Sequence, residues 1–153
     1  MPPTPLSHSD LSTVVRLGPV ASIDLIIRDA RSKVLLGLRN NEPAKGYFFV
    51  PGARVWKGER LREAFERILK NEVNYVGSFD QARLLGVFEH FYETNRFDQH
   101  GYGTHYIATA YEFRAGDTST IVADSQHREY SWWDESDILR SDQVHENTKA
   151  YFR

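Results

Sequence analysis

Residues 52–75 read GARVWKGERLREAFERILKNEVNY, and the middle of that stretch has the periodicity of a helix packed against a sheet. At about 100° per residue, Leu61, Ala64, Phe65, Ile68 and Leu69 fall on one side, which predicts an amphipathic helix over Arg60 to Val73. Glu63 and Glu66 point the other way and read as a solvated face. Glu72 breaks the pattern, because it lies only about 20° from Leu61, inside the apolar stripe. A carboxylate there must reach water, find a cation or coordinate a metal, since burying it unpaired costs on the order of several kcal/mol. By helix geometry alone, a last-turn glutamate bending out to solvent is the simpler account. Glu59 precedes the helix, where the macrodipole favours a carboxylate without any chemical role.

Working outward, the residues before this segment favour strands. Val20 to Arg28 alternates poorly but is rich in Ile and Val, and Lys33 to Arg39 continues in the same way, so two adjacent strands are predicted. A polar loop, Asn40 to Gly46, leads to a short aromatic strand, Tyr47 to Val50, closed by a turn at Pro51-Gly52. After the helix, Ala82 to Tyr92 and Tyr102 to Phe113 read as long strands joined by the polar loop Glu93 to Gly101. Arg128 to Trp133 reads as a last strand, and Asp134 is placed to cap a helix over Glu135 to Leu139. At the start, Ser9 or Asp10 is placed to cap a short helix through about Leu17, ended by Gly18-Pro19. Strands on both sides of one amphipathic helix indicate a mixed α/β layer fold rather than a parallel doubly wound one.

The chain has 153 residues, of which 41% are hydrophobic and 26% charged, the proportions of a single globular domain over 1–153. It contains no cysteine, which excludes disulfides, thiolate metal sites and a cysteine nucleophile. Nineteen Lys and Arg against 21 Asp and Glu give a formal charge of −2, which argues against a nucleic-acid-coating surface but leaves room for a local basic pocket. The opening MPPTPLSHSD lacks the apolar run of a secretory signal. No stretch approaches the roughly 18 apolar residues of a membrane span. A soluble, cytoplasmic protein with no nucleic-acid or membrane partner is expected.

The 52–75 segment resembles the Nudix signature, in which a glycine, five residues, a glutamate, seven residues, an arginine and a glutamate pair build a loop-helix-loop that holds Mg²⁺ against a diphosphate. Glu59 and Arg67 fall at the signature spacing, and Glu72 falls on the second glutamate of the pair. Ala53, Ile68, Asn71 and Asn74 replace the opening glycine, the glutamate after the arginine, the first of the paired glutamates and the closing glycine. The GDP-mannose mannosyl hydrolase branch has a similar reduced signature. The resemblance to it runs through LSTVVRLGPVASIDLII, GYFFVPGARV, FEHFY, THY, DSQHREY and VHENTKAYF, in that order.

That resemblance implies a Nudix fold, a mixed β-sheet sandwiched between helices in an α/β/α arrangement. It implies Mg²⁺-dependent hydrolysis of GDP-mannose or a related GDP-hexose to GDP and free sugar, by inverting attack of water at the anomeric carbon. The Mg²⁺, for which Mn²⁺ is a stand-in, would be held by the Gly52 carbonyl, Glu72 and Gln126. Arg39, Arg54 and Arg67 would surround the diphosphate or order the helix, and Tyr106 would donate to the leaving diphosphate. His127 would be the general base, Asp24 would contact the sugar, and His90 would lie near it. A homodimer is also implied, with residues 1–18 as an arm available for the contact. Two other readings stay open: a Nudix pyrophosphohydrolase attacking phosphorus in a nucleotide derivative, and a nucleotide-sugar-binding protein with weak or no activity. His8, His100 and His145 have no matched functional role, and His100 with His105 lacks the helical HExxH context of a zinc site.

Overall fold

The computed structural model describes residues 2–123 and 129–153. Its strands are β1 (Val20–Arg28), β2 (Val34–Leu38), β3 (Phe48–Phe49), β4 (Gly52–Arg54), β5 (Arg83–Tyr92), β6 (Thr104–Arg114) and β7 (Tyr130–Trp133). Helices are α1 (His8–Leu17), α2 (Leu61–Val73), α3 (Ser119–Ala123), α4 (Glu135–Arg140) and α5 (Glu146–Lys149). One mixed sheet runs β3-β2-β1-β6-β5, with β4 paired to β1 and β7 to β2. Among the strands of the described residues, β1 and β6 run parallel, over Val20↔Tyr106 to Arg28↔Arg114. On its other side β1 is shared: Ser22 to Asp24 pair with β4, whereas Arg28 pairs with Val34 of β2. The sheet therefore forks along β1, and the functional residues gather at that fork.

The poor alternation of β1 has a physical cause. Both sheet faces are covered, so both sets of side chains are apolar. Ile23, Leu25 and Ile27 pack with Phe65, Ile68 and Leu69 of α2, while Ile26 on the opposite face packs with Leu36, Phe49, Ile138 and Tyr151. Asp24 shares the face of Ile26 by the two-residue strand period, which sends a carboxylate into an otherwise apolar layer. A third cluster, Leu11, Val15 and Val20, fastens α1 to the sheet.

Several sequence expectations need correction. Ser7, not Ser9 or Asp10, caps α1, its side chain accepting from Asp10 N at 3.1 Å. Residues after Pro51 do not simply turn but form β4. Asp134 occupies the cap position of α4 without a side-chain cap bond and lies 3.9 Å from Lys33 Nζ. The short helices α3 and α5 have no counterpart in the sequence reading, because four- and five-residue helices carry too little periodicity to register. Leu61, assigned to the buried stripe, is 44% exposed. Leu61 opens α2 and Glu72 lies in its last turn, so both stand at the margin of the stripe that Ala64, Phe65, Ile68, Leu69 and Val73 bury.

Candidate active site

Residue 72 illustrates how the fold makes the site. Glu72 is half-buried and lines a cleft of about 440 Å³ together with Arg39, Gly52, Arg54, Arg96 and Tyr106, a volume suited to a small-molecule ligand. The carboxylate is neither core nor simply solvated; the last turn of α2 aims it at the fork. A smaller chamber of about 60 Å³ shares the Gly52, Arg39, Arg54 and Tyr106 wall and adds Asp24 and His90.

Gly52 stands between the two spaces. Its backbone pairs with Asp24, and a Cβ added there would overlap Asp24 Oδ1 and lie 2.7 Å from the Ile23 carbonyl oxygen. Only glycine permits this approach. Ala53, which replaces the signature glycine, lies in regular β4 pairing with Ile23, and its φ is not positive. The alanine is accommodated without backbone strain.

The loop before α2 is built around a buried ion pair. Glu59 Oε1 accepts from Arg67 Nε at 2.5 Å and Oε2 accepts from Arg67 Nη2 at 2.9 Å, with side-chain exposures of 4% for Glu59 and 17% for Arg67. The same carboxylate accepts from Trp56 N at 2.8 Å, and Arg67 Nη2 donates to the Arg54 carbonyl at 3.0 Å. Arg67 also stacks on the Trp56 ring at 3.8 Å. Burial opposes ionisation of Glu59, but the hydrogen bonds from Arg67 and Trp56 outweigh it and hold the carboxyl below its ordinary range. These contacts make Glu59 an anchor of the loop before α2 and engage the Arg67 guanidinium with it.

Asp24 is held differently. Tyr151 donates its hydroxyl to Asp24 Oδ2 and lies 3.3 Å from His90 Nε2, while His90 Nδ1 is 3.8 Å from Asp24 Oδ2. Burial pushes the Asp24 carboxyl up to about 6, against the opposing pull of the Tyr151 hydrogen bond and the Arg39 charge. Burial, with His145 nearby, pushes His90 down to about 4, so this imidazole is neutral at neutral pH. Burial and the adjacent Asp24 carboxylate push the Tyr151 hydroxyl strongly up, leaving it a donor.

The Asp24 shift has a stability consequence. The unfolded chain releases this proton near the ordinary 3.8 and the folded chain near 6. Asp24 therefore favours folding below about pH 4, and that contribution is lost as the pH rises through about 6. An Asp24→Asn variant is expected to exceed the wild type in stability by up to about 3 kcal/mol above that range, with the gain vanishing toward about pH 4. Urea unfolding of both proteins at the two ends of the window checks this.

The structure thus brings Asp24, Arg39, Gly52, Arg54, Glu72, His90 and Tyr106 around one fork, while Arg67 lies behind the wall. Burial pushes the Tyr106 hydroxyl up, against the pull of Arg39, Arg96 and Arg54. Gln126 and His127 lie outside the described residues. His145, which the sequence left without a role, caps α5 by accepting from Asn147 N at 3.0 Å through Nδ1. His105 stacks on Phe91 at 4.3 Å, and no group of three His, Cys, Asp or Glu side chains is placed to hold a metal among the described residues. Sequence reasoning passed over Tyr151 and Arg96. Tyr151 stands inside the quoted block VHENTKAYF, whereas Arg96 had no motif to mark it.

Fold and site together define a single-sheet α/β protein with a loop-helix element that presents a carboxylate and arginines to a cleft. The NUDIX domain family profile matches residues 18–153, and the chain belongs to the Nudix hydrolase family. It is 39% identical over 127 residues, 82% of this chain and 78% of the relative, to the low-salt glycan biosynthesis protein Agl8 of Haloferax volcanii. It is 39% identical over 72 residues, 47% of this chain, to the ADP-ribose pyrophosphatase of Methanocaldococcus jannaschii, of which the match spans 41%. Among solved structures, the MutT protein of Methanosarcina mazei superposes with a TM-score of 0.68 at 20% identity, covering 88% of this chain and 91% of that one, which supports the fold. No helix among the described residues is long and apolar enough to cross a membrane.

Nudix hydrolases generally use divalent metals such as Mg²⁺. The donors found here suit that ion: a carboxylate and a backbone carbonyl-bearing glycine on one cleft wall, with Glu59 committed to Arg67. Mg²⁺ is commonly held by one or two carboxylates, with substrate phosphates and water completing the shell, so a sparse oxygen set fits it.

Proposed function

We propose that this protein hydrolyses GDP-mannose or a related GDP-hexose to GDP and the free sugar, by inverting attack of water at the anomeric carbon. The observation that carries the reading is the forked site, in which an arginine-rich cleft adjoins a small polar chamber holding Asp24 and His90. A diphosphate suits the first space, with the sugar extending from it to the mouth of the second beside Asp24 and His90. Arg39 and Arg54 bind phosphate oxygens through planar forks that stay charged, and Tyr106 donates a hydrogen bond to the departing diphosphate. Asp24, fixed by Tyr151, accepts from a sugar hydroxyl, and neutral His90 shapes the wall beside it. His127 removes the proton from the attacking water. The Gly52 carbonyl, Glu72 and Gln126 would hold Mg²⁺, which would supply positive charge to the leaving group. The 39% identity to a protein named for glycan biosynthesis supports a sugar-nucleotide substrate. Mg²⁺, a homodimer and use of the N-terminal arm in its contact belong to the same proposal.

Hydrolysis in ¹⁸O-labelled water tests it. The label is expected on the sugar, with GDP as the other product. Label on phosphate, with sugar phosphate and nucleoside monophosphate as products, supports instead the pyrophosphohydrolase reading that the partial match to an ADP-ribose pyrophosphatase favours. Binding of GDP-mannose with no turnover would leave the third reading, a nucleotide-sugar-binding protein.

A further inference from the structure

The loop between β5 and β6, residues 93–103, reads in the sequence as a polar connection, yet it is held by an ordered set of bonds. Asn95 is 1% exposed. Its Nδ2 donates to the carbonyls of Gln99 and Tyr102 at 2.8 and 2.9 Å, and its Oδ1 accepts from Phe97 N and Gln99 N at 3.1 and 3.2 Å. Thr104 Oγ1 donates to the Thr94 carbonyl at 2.8 Å. On one flank Phe97 meets the His8 ring edge-on at 4.6 Å and packs on the Leu11, Val15 and Val20 cluster. On the other, Thr94 Oγ1 donates to Glu42 Oε2 at 2.8 Å, tying the loop to the residue 40–46 wall of the cleft.

Arg96 sits in the middle of these anchors, with bonded residues on both sides. It is exposed, lines the cleft, and has no ion-pair partner among the described residues. Its charge acts, after burial, to lower the Arg54 pKa and acts with Arg39 on the Tyr106 hydroxyl. Arg96 and Arg54 repel each other across the cleft that Arg39 also lines. An anion placed among them relieves that repulsion and accepts charge-assisted hydrogen bonds. A loop rigidified before binding also lowers the ordering cost of holding it.

We infer that Arg96 binds the diphosphate of the ligand as a third guanidinium beside Arg39 and Arg54, with Asn95 as the positioning residue that presents it. This inference rests on the nucleoside-diphosphate reading of the cleft. The chemistry it requires is a pyrophosphate group, whatever base or sugar is attached.

Calorimetry with GDP, GMP and inorganic pyrophosphate, each with Mg²⁺, tests it on the wild type, Arg96→Ala, Arg96→Lys, Asn95→Ala and the Asn95→Ala/Arg96→Ala double variant. Arg96→Ala is expected to weaken GDP and pyrophosphate binding roughly ten- to a hundredfold, the usual effect of losing a hydrogen bond to a charged group, with a smaller loss for GMP. Arg96→Lys should recover part of the affinity, because it keeps the charge and loses the fork. Asn95→Ala should weaken GDP binding alone but add little to Arg96→Ala, since both remove one interaction. Unchanged GDP and pyrophosphate affinity in Arg96→Ala overturns the inference and leaves the proposed function standing. A wild type that binds neither overturns both. Binding of pyrophosphate without GDP removes the guanine assignment, and Arg96 is then judged on pyrophosphate.

Discussion

An Arg67→Ala variant is expected to lose about 3–5 kcal/mol of stability, because it leaves the buried Glu59 carboxylate with an uncompensated charge. Glu59 would keep only its bond from Trp56 N, and the Trp56 ring would lose the cation stacked on it at 3.8 Å. A domain is typically stable by about 5–15 kcal/mol, so the loss takes up a large share of the margin. Urea denaturation would show a lower midpoint with an unchanged slope. Arg67→Lys should regain only a minor part, since an ammonium cannot span both Glu59 oxygens and the Arg54 carbonyl at once. A loss below about 1 kcal/mol, the range of an exposed pair, would mean that the loop opens to hydrate Glu59 and that the anchor is weaker than its geometry.

Replacing His127 with Gln should lower kcat by about 10² to 10⁴, the largest effect expected of any single change at the site. Glutamine keeps a polar side chain of similar reach but has no titratable nitrogen to take the proton of the attacking water. Nucleotide binding should stay within about twofold, because a general base acts in the transition state and contributes little to the bound ground state. The wild type should also show an acidic limb in kcat that is absent from the variant. Retained turnover would move the base to another group, and Asp24, whose carboxyl is pushed up to about 6, would be the next to replace.

Much of the framework is legible without coordinates. The period of Ala64, Phe65, Ile68 and Leu69 locates α2 within a residue or so of its ends, since a half-buried helix cannot hide its stripe. The β-branched run over Val20 to Arg28 locates β1, and the long aromatic segments locate β5 and β6. β4 escaped because Pro51-Gly52 carries the local signature of a turn, while the reason for that glycine is the nearness of Asp24 on another strand. Glu72 stood out as an anomaly, but the simpler account of it, a residue bent to solvent, missed the cleft. Whether a last-turn side chain meets water or a cleft depends on what stands beside the helix end.

By itself the sequence determined α2, the long strands β1, β5 and β6, the absence of thiol chemistry and the residue types available for oxygen-ligand and imidazole chemistry. These follow from local periodicity and composition, which act over a few residues. Tertiary structure alone decided the partnerships: Tyr151 on Asp24 across 127 positions, Arg67 turned to Glu59 behind the wall, and Arg96 carried into the cleft on a loop. Those pairings depend on strand register and on the fork along β1, both products of the whole packing, and no local propensity encodes them.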